Sequence, residues 1–385
     1  MAAKLRYPSL FQINTRVWLE RLSRDAGRKI TLADIDDTTL DGFAEKGFDW
    51  IWLLSVWQIG AAGRAVSRGN PQWRAEFKTV LPDLHEEDIC GSGFAITGYT
   101  VSDALGGERA LTQFRNNLAK RGIKLMLDFV PNHTAPDHPW VRTHPEYYVE
   151  GSEEALAAAP QNYLRVATDR GPRILAHGRD PNFPGWPDTL QLNYGNPELQ
   201  AARIEELLTI AGKCDGVRCD MAMLLLPEIF HRTWGISPEP FWPKATAAVR
   251  AKYPDFTFMA EVYWDLEWTL QQQGFDYCYD KRLYDRLGER AVRPRSATIC
   301  WPASTTRTSS PGFSKTTTSR APHSNFPGRS TRRARSSPFC HPACAYSMLV
   351  SPTEHGSECR PIYAAVRPSR RIRKLPLFMQ SCCKR

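Results

Sequence analysis

A run of eighteen apolar residues, about the length at which a helix spans a bilayer, occurs nowhere in the 385 residues of this chain. Residues 1–7 lead into an apolar run without the hydrophobic stretch of a secretion leader. These two absences argue against a helical membrane span and against export, so the expected location is cytoplasmic. Cysteines at metal-type spacing are missing too: Cys90, Cys214, Cys219 and Cys278 lie scattered through residues 1–290 and read as reduced, buried thiols. Acidic residues are nearly missing from the last quarter. Residues 291–385 hold 2 Asp+Glu against 17 Lys+Arg, a net of +15, which leaves 39 Asp+Glu against 33 Lys+Arg, a net of −6, in residues 1–290. The +9 of the whole chain is therefore all tail. That tail also carries 6 of the 10 cysteines and Ser, Thr, Arg and Pro clusters, and it shows no helical or strand period.

Before the tail stand three short strings, each at the end of an apolar run: Asp128-Phe-Val-Pro-Asn132-His133, Gly216-Val-Arg218-Cys-Asp220 and Met259-Ala-Glu261. The runs Ile123 to Phe129, Cys214 to Cys219 and Phe256 to Ala260 read as buried parallel strands, and the stretches between them are long enough for crossover helices. This predicts an α/β chain of repeated βα units with its polar groups at strand ends. Each string alone reads as a capped loop or a strand-end ion pair. Their order, each after its own strand, is what outlines a carboxylate site for sugar chemistry. In a (β/α)₈ barrel the C-terminal strand ends share one rim, where Asp220 and Glu261 can converge. A retaining glycosidase needs one ionised carboxylate to attack the anomeric carbon and one protonated acid for the leaving oxygen, about 5–5.5 Å apart. Arg218, two residues before Asp220, points to the same side of its strand and is expected to keep that Asp ionised. Glu261, flanked by Met259, Ala260 and Val262, is expected to sit in apolar surroundings that raise its pKa.

On these residues the chain resembles the α-amylase family, glycoside hydrolase family 13, over roughly residues 7–290. The resemblance implies a TIM (β/α)₈ barrel with a small inserted domain after the third strand. Residues 1–133 and 196–290 would form the barrel, and residues 134–195, rich in Pro, Gly and aromatics, the insert. It further implies Asp220 as nucleophile, Glu261 as general acid/base, Arg218 as orienter of the nucleophile, and Asp128 with His133 at the rim, His133 on the −1 sugar. Phe94 falls where the family usually has a stacking Tyr, so the aromatic face survives without its hydroxyl. Asn132 matches a position that often helps hold a structural calcium. Leu224 and Gln191, however, stand where calcium-dependent members often have His and Asp, which removes two usual ligands of a cation that wants six to eight oxygens. The first strand is expected at Phe11 to Asn14, the second at Phe48 to Leu54 and the sixth at Phe275 to Tyr277. Trp50, Trp52 and Trp57 are read as core packing in preference to sugar platforms. The implied partner is an α-glucan or α-glucoside.

The basic tail, residues 291–385, has two readings. One is a disordered arm for nucleic acid or another polyanion. The other is a reading-frame slip near residues 288–298. Phe313 to Ala321 can be written in codons that, read from the third base, give Leu-Glu-Asn-His-Asp-Glu-Pro-Arg, which contains the Asn-His-Asp of the family's seventh strand end. The slip is the preferred reading. It leaves Thr317 and Thr318 where the family's third carboxylate and its neighbouring His belong, and it leaves the barrel incomplete at its C-terminus, so such a chain is expected to fold poorly or turn over slowly. Three functions follow: a retaining hydrolase of α-glucosidic bonds; a transglycosylase or isomerase of the same family, of trehalose or sucrose type; and a non-catalytic binder of carbohydrate or polyanion.

Overall fold

Six short apolar runs pair side by side in the computed structural model, which describes residues 8–282. They are β1 (Leu10–Asn14), β2 (Trp50–Leu54), β3 (Lys124–Phe129), β4 (Gly216–Cys219), β5 (Thr257–Ala260) and β6 (Tyr277–Cys278). They hydrogen-bond in that order, and every pair is parallel. Because spatial order equals chain order and helix covers each connection, the sheet curls as successive βα units of a TIM-type barrel. The barrel is incomplete: β1 and β6 are the outer strands among the described residues. Residues 283–385 lie outside the described residues. With them lie the basic tail, the proposed slip, Thr317 and Thr318, and the positions of a seventh and eighth strand.

The crossover helices are α1 (Thr15–Ala26), α2 (Asp37–Glu45), α3 (Gly107–Ala119), α4 (Pro197–Lys213), α5 (Phe241–Lys252) and α6 (Glu267–Gln272), with shorter helices between. Their ends follow from local chemistry. The Asn196 side chain accepts from the N–H groups of Glu198 and Leu199, with Pro197 at the first helical position, so α4 starts where its free donors are satisfied. Asn14 caps α1 in the same way, and Gly27 ends it at φ +66°. On α3 the residues Ala110, Leu111, Phe114 and Leu118 fall on one face and are buried against the sheet. Leu125, Leu127, Val217 and Phe258 form part of the core, each contributing about 1.5–3 kcal/mol by burial.

Trp50, Trp52 and Trp57 are buried, as expected of core residues. β4 begins at Gly216, two residues later than the apolar run suggests, because Cys214 terminates α4 and the Asp215 carboxylate accepts from the Leu125 N–H at 2.8 Å. β6 is shifted similarly, since Asp276 uses its carboxylate on the Phe258 N–H at 2.9 Å before the ladder starts. Arg203, fully buried on α4, locks that helix to the end of β3. It donates to the Val130 carbonyl (2.5 Å) and the Tyr99 hydroxyl (2.9 Å), pairs with Glu206, and stacks on Phe129. Between β3 and α4 the chain forms an antiparallel pair, Tyr163–Val166 with Arg173–Ala176, and a two-residue pairing of His133–Thr134 with Leu190–Gln191. Among the described residues no helix is long and apolar enough to cross a membrane.

Candidate functional site

Register brings the acids together. Arg218 on β4 stands opposite Asp128 on β3 and Met259 on β5. Asp220 and Glu261 lie two residues beyond Arg218 and Met259, so the period of two turns them to the same side. The ladder continues past the strand ends, with Asp220 N–H donating to the Phe129 carbonyl (2.8 Å) and Glu261 N–H to the Cys219 carbonyl (2.9 Å).

At the centre is Arg218. It donates through Nη1 to Asp220 Oδ1 at 2.8 Å and to Asp128 Oδ1 at 3.5 Å, through Nη2 to Glu261 Oε2 at 2.5 Å, and through Nε to the Tyr279 hydroxyl at 3.0 Å. Its guanidinium faces the rings of Phe94 (5.1 Å) and Trp52 (5.4 Å). Arg218 and the three acids are all buried. One cation therefore serves three carboxyls, and full ionisation would leave two uncompensated negative charges out of water. Burial pushes the pKa of Asp220 up against the pull of Arg218, and burial likewise raises Glu261. The Arg218–Asp220 contact is as expected, but it does not by itself hold Asp220 at the pKa of a free carboxylate. The two carboxyls meet on the same guanidinium, Asp220 at Nη1 and Glu261 at Nη2, and burial raises the pKa of both.

The surroundings of Glu261 differ from the apolar ones expected. Its carboxyl accepts from Arg218, from the Met221 N–H at 3.0 Å and from the Tyr263 hydroxyl at 2.8 Å. Of the apolar neighbours in sequence, Ala260 and Val262 point to the strand's other side, because side chains alternate along a strand, and only Met259 shares the side of Glu261. Tyr263 keeps its proton, its pKa raised by burial and by Glu261. Met221 presents its N–H from a left-handed conformation, φ +42°.

Asp128 is held by Trp52 Nε1 (3.2 Å) and by the N–H of Ser55 (3.1 Å), itself at φ +66°, while Trp57 Nε1 donates to its backbone carbonyl (2.8 Å). Burial raises its pKa to about 6. His133 bonds the Phe94 backbone and lies edge-on to Trp186, with ring centroids 5.3 Å apart; burial depresses its pKa to about 3, so the ring is neutral. Phe94 thus joins His133 to Arg218, and Asn132 borders the cluster through His133, its Nδ2 lying 3.3 Å from the His133 Nδ1.

Asn132 turns to Gln191. Its Nδ2 donates to Gln191 Oε1 (3.1 Å), and Gln191 Nε2 reaches Asn132 Oδ1 (3.0 Å), the Asn132 carbonyl (3.0 Å) and the Leu192 carbonyl (3.1 Å). The oxygens a calcium would need are spent on amide protons, no carboxylate joins them, and Leu224 is buried and apolar. The residues present do not fit calcium. Reading the sequence for site residues missed Tyr263, Tyr279 and Trp186. The signal for Tyr263 was its spacing of two from Glu261; Trp186 carried none.

The family model for the α-amylase catalytic domain matches residues 47–274. An α-1,4-glucan:maltose-1-phosphate maltosyltransferase of Bifidobacterium longum is 25% identical over 231 residues, which are 58% of this chain and 25% of that protein. An α-glucosidase of Culex pipiens is 36% identical over 140 residues, 32% of this chain and 24% of that enzyme. The chain thus spans about a quarter of the length of these curated relatives. Among solved structures, an α-amylase from Lactobacillus plantarum is 23% identical at a TM-score of 0.48, covering 74% of this chain and 60% of that one.

Proposed function

The chain belongs to the α-amylase family, whose catalytic-domain model matches residues 47–274, and from that premise we propose that its site is built to cleave an α-glucosidic bond with retention. Asp220 attacks the anomeric carbon and forms a glycosyl ester. Glu261 gives its proton to the departing oxygen and then takes one from the incoming water or sugar hydroxyl. Arg218 orients both carboxyls. Phe94 and neutral His133 bound the donor sugar, and Asp128 sets the position of Arg218. The observation that carries this reading is the grip of one buried guanidinium on the carboxyls of both Asp220 and Glu261, a site that can hold one acid ionised beside another protonated, as the reaction needs.

The same site serves hydrolysis or transfer to a sugar, and the maltosyltransferase and α-glucosidase relatives represent the two outcomes. Residues 291–385 contain 2 acids, neither in an Asn-His-Asp string. We therefore place the loss in the oxocarbenium-like transition states of both ester formation and breakdown, with the nucleophile retained, so that an activated substrate still labels it slowly. The test is to incubate the full chain with a 5-fluoro-α-glucosyl fluoride, whose good leaving group lets the ester form while the ring fluorine slows its breakdown. Peptide mass spectrometry is expected to find one added glycosyl group on Asp220 and none in Asp220→Asn. An unlabelled parent would refute the proposal. Products from maltose, glucose alone or longer saccharides, separate hydrolysis from transfer.

A further inference from the structure

Among the described residues the Glu261 carboxyl takes three hydrogen bonds, and they are not alike. Two go to Oε2, from Arg218 Nη2 and from the Met221 N–H at 3.0 Å. A guanidinium and a backbone amide only donate, so a proton on Oε2 would point at two others. The third goes to Oε1, from the Tyr263 hydroxyl at 2.8 Å. A hydroxyl can turn round: it donates to a carboxylate and accepts from a carboxylic acid. The proton that Glu261 carries therefore belongs on Oε1, against the one partner that suits both of its states. Tyr263 keeps its own proton, because burial and the neighbouring Glu261 raise its pKa. Its backbone is anchored on the far side by a turn in which Trp264 and Asp265 take left-handed φ of +64° and +62°, the Leu266 N–H meets the Tyr263 carbonyl at 3.4 Å, and Asp265 pairs with Arg282.

On the reading of Glu261 as general acid, on which it rests, we propose that Tyr263 is a positioning residue that keeps the transferable proton on Glu261 Oε1 and reverses its hydrogen bond when that proton leaves. In the free chain the Oε1 proton rests against the Tyr263 oxygen. As the glycosidic bond breaks, the proton passes from Oε1 to the departing oxygen, and the Tyr263 hydroxyl swings to donate to the carboxylate left behind. In the second step water or a sugar hydroxyl returns a proton to Oε1, and the tyrosine goes back to accepting. A charged acceptor is held more tightly than a neutral one, so the hydroxyl also steadies the negative charge that grows on Glu261. The other charged and titratable groups around Glu261 are committed elsewhere. Arg218 reaches it from β4 with Asp220 beside it, Asp128 shares that guanidinium from β3, and Tyr279, past β6, accepts from Arg218 Nε.

Tyr263→Phe in the full chain keeps the ring and deletes the hydroxyl. Two substrates share the donor sugar and differ in the proton they need: the oxygen leaving phenyl α-glucoside needs one, and the fluoride leaving α-glucosyl fluoride needs far less help. The variant should lose about tenfold in kcat on phenyl α-glucoside at nearly constant KM, with fluoride release little changed. Removing a donor to the carboxylate favours the neutral acid, so the alkaline limb of the phenyl α-glucoside profile should move up by about one pH unit. The same shift should appear without turnover in NMR titrations of the chain labelled at its glutamate carboxyls, where the Glu261 signal is the one absent from Glu261→Gln. Equal losses on both substrates, or a Glu261 titration that stays where the parent has it, would overturn the role of Tyr263. The acid reading fails separately, if Glu261→Gln slows both substrates alike.

Discussion

Asp188 is buried beside the first turn of the helix Ala61–Gly69, and neither of its carboxyl oxygens has a hydrogen-bond partner. Burial raises its pKa from 3.8 to about 6. At about 1.4 kcal/mol per unit, the shift of about two units is worth roughly 3 kcal/mol. The sign follows from proton counting. The folded chain keeps the proton to higher pH than the unfolded chain, so this group's contribution to stability is fully present below pH 3.8 and is lost as pH rises through about 6. Asp188→Asn has the same shape and does not titrate. Its stability relative to the parent should therefore rise by about 3 kcal/mol between acid and neutral pH, with near equality at the acid end, where the parent carboxyl is neutral. Urea unfolding of both full chains, followed by tryptophan fluorescence across that range, measures the difference, and other titrating groups cancel. A difference independent of pH would refute the reasoning, because it would mean that the carboxylate is paired or hydrated when folded.

Glu261→Gln removes the proton donor. Maltose cleavage should fall by about 10²–10⁴-fold while fluoride release falls far less, and equal losses measured by steady-state kinetics would deny Glu261 the acid role. Adding calcium or a chelator should leave the thermal midpoint of the parent unchanged, and Gln191→Ala should lower stability by about 1–3 kcal/mol without recovery by calcium. A calcium-dependent midpoint in the parent would contradict the amide pairing of Asn132 with Gln191. Gly93→Ala would press a Cβ onto Ser55 Oγ and set it 2.7 Å from Ser55 Cβ. Since the Ser55 N–H holds Asp128, this variant should lose about 1–3 kcal/mol of stability together with fluoride release. Unaltered calorimetric stability would show that Ser55 moves freely.

The strands and the acid cluster were legible in sequence because both are periodic. A parallel strand buried on both faces reads as a continuous apolar run, and an acid stands at its end, Asp128 on the penultimate residue of β3 and Asp220 and Glu261 directly after β4 and β5, which is why the three stood out. What sequence hid is direction and competition. Glu261 has apolar neighbours along the chain and polar neighbours in space, because Arg218 reaches it from the adjacent strand. The pKa of Asp220 depends on how one guanidinium is divided among three acids, and no single string contains that count. Trp186 and Gln191 reach the site only through the chain's return across the antiparallel pairing at His133–Thr134.

The acids come from β3, β4 and β5, each of which is paired on both sides. Ladder bonds from two neighbours fix a strand's register more firmly than bonds from one, so the register of the three acids is set by the inner strands, and the outer strand β6 reaches Arg218 through the Tyr279 hydroxyl that follows it. The family's third carboxylate belongs to a seventh strand and therefore to the part of the sequence that reads as shifted. Donor binding and the nucleophile should then depend on the described residues, and stabilisation of the oxocarbenium-like transition states of ester formation and breakdown on the missing string. Restoring the frame, so that the chain reads Leu-Glu-Asn-His-Asp-Glu-Pro-Arg in place of Phe313 to Ala321, should raise kcat on maltose by about 10²–10³-fold, the equivalent of roughly 3–4 kcal/mol. Donor-site affinity should change far less, because hydrogen bonds from a restored Asp and His to the sugar hydroxyls tighten as the oxocarbenium character develops. A restored chain no faster on maltose than the present one would mean that the slip removed nothing the reaction needs, and the basic tail would have to be read as a segment in its own right.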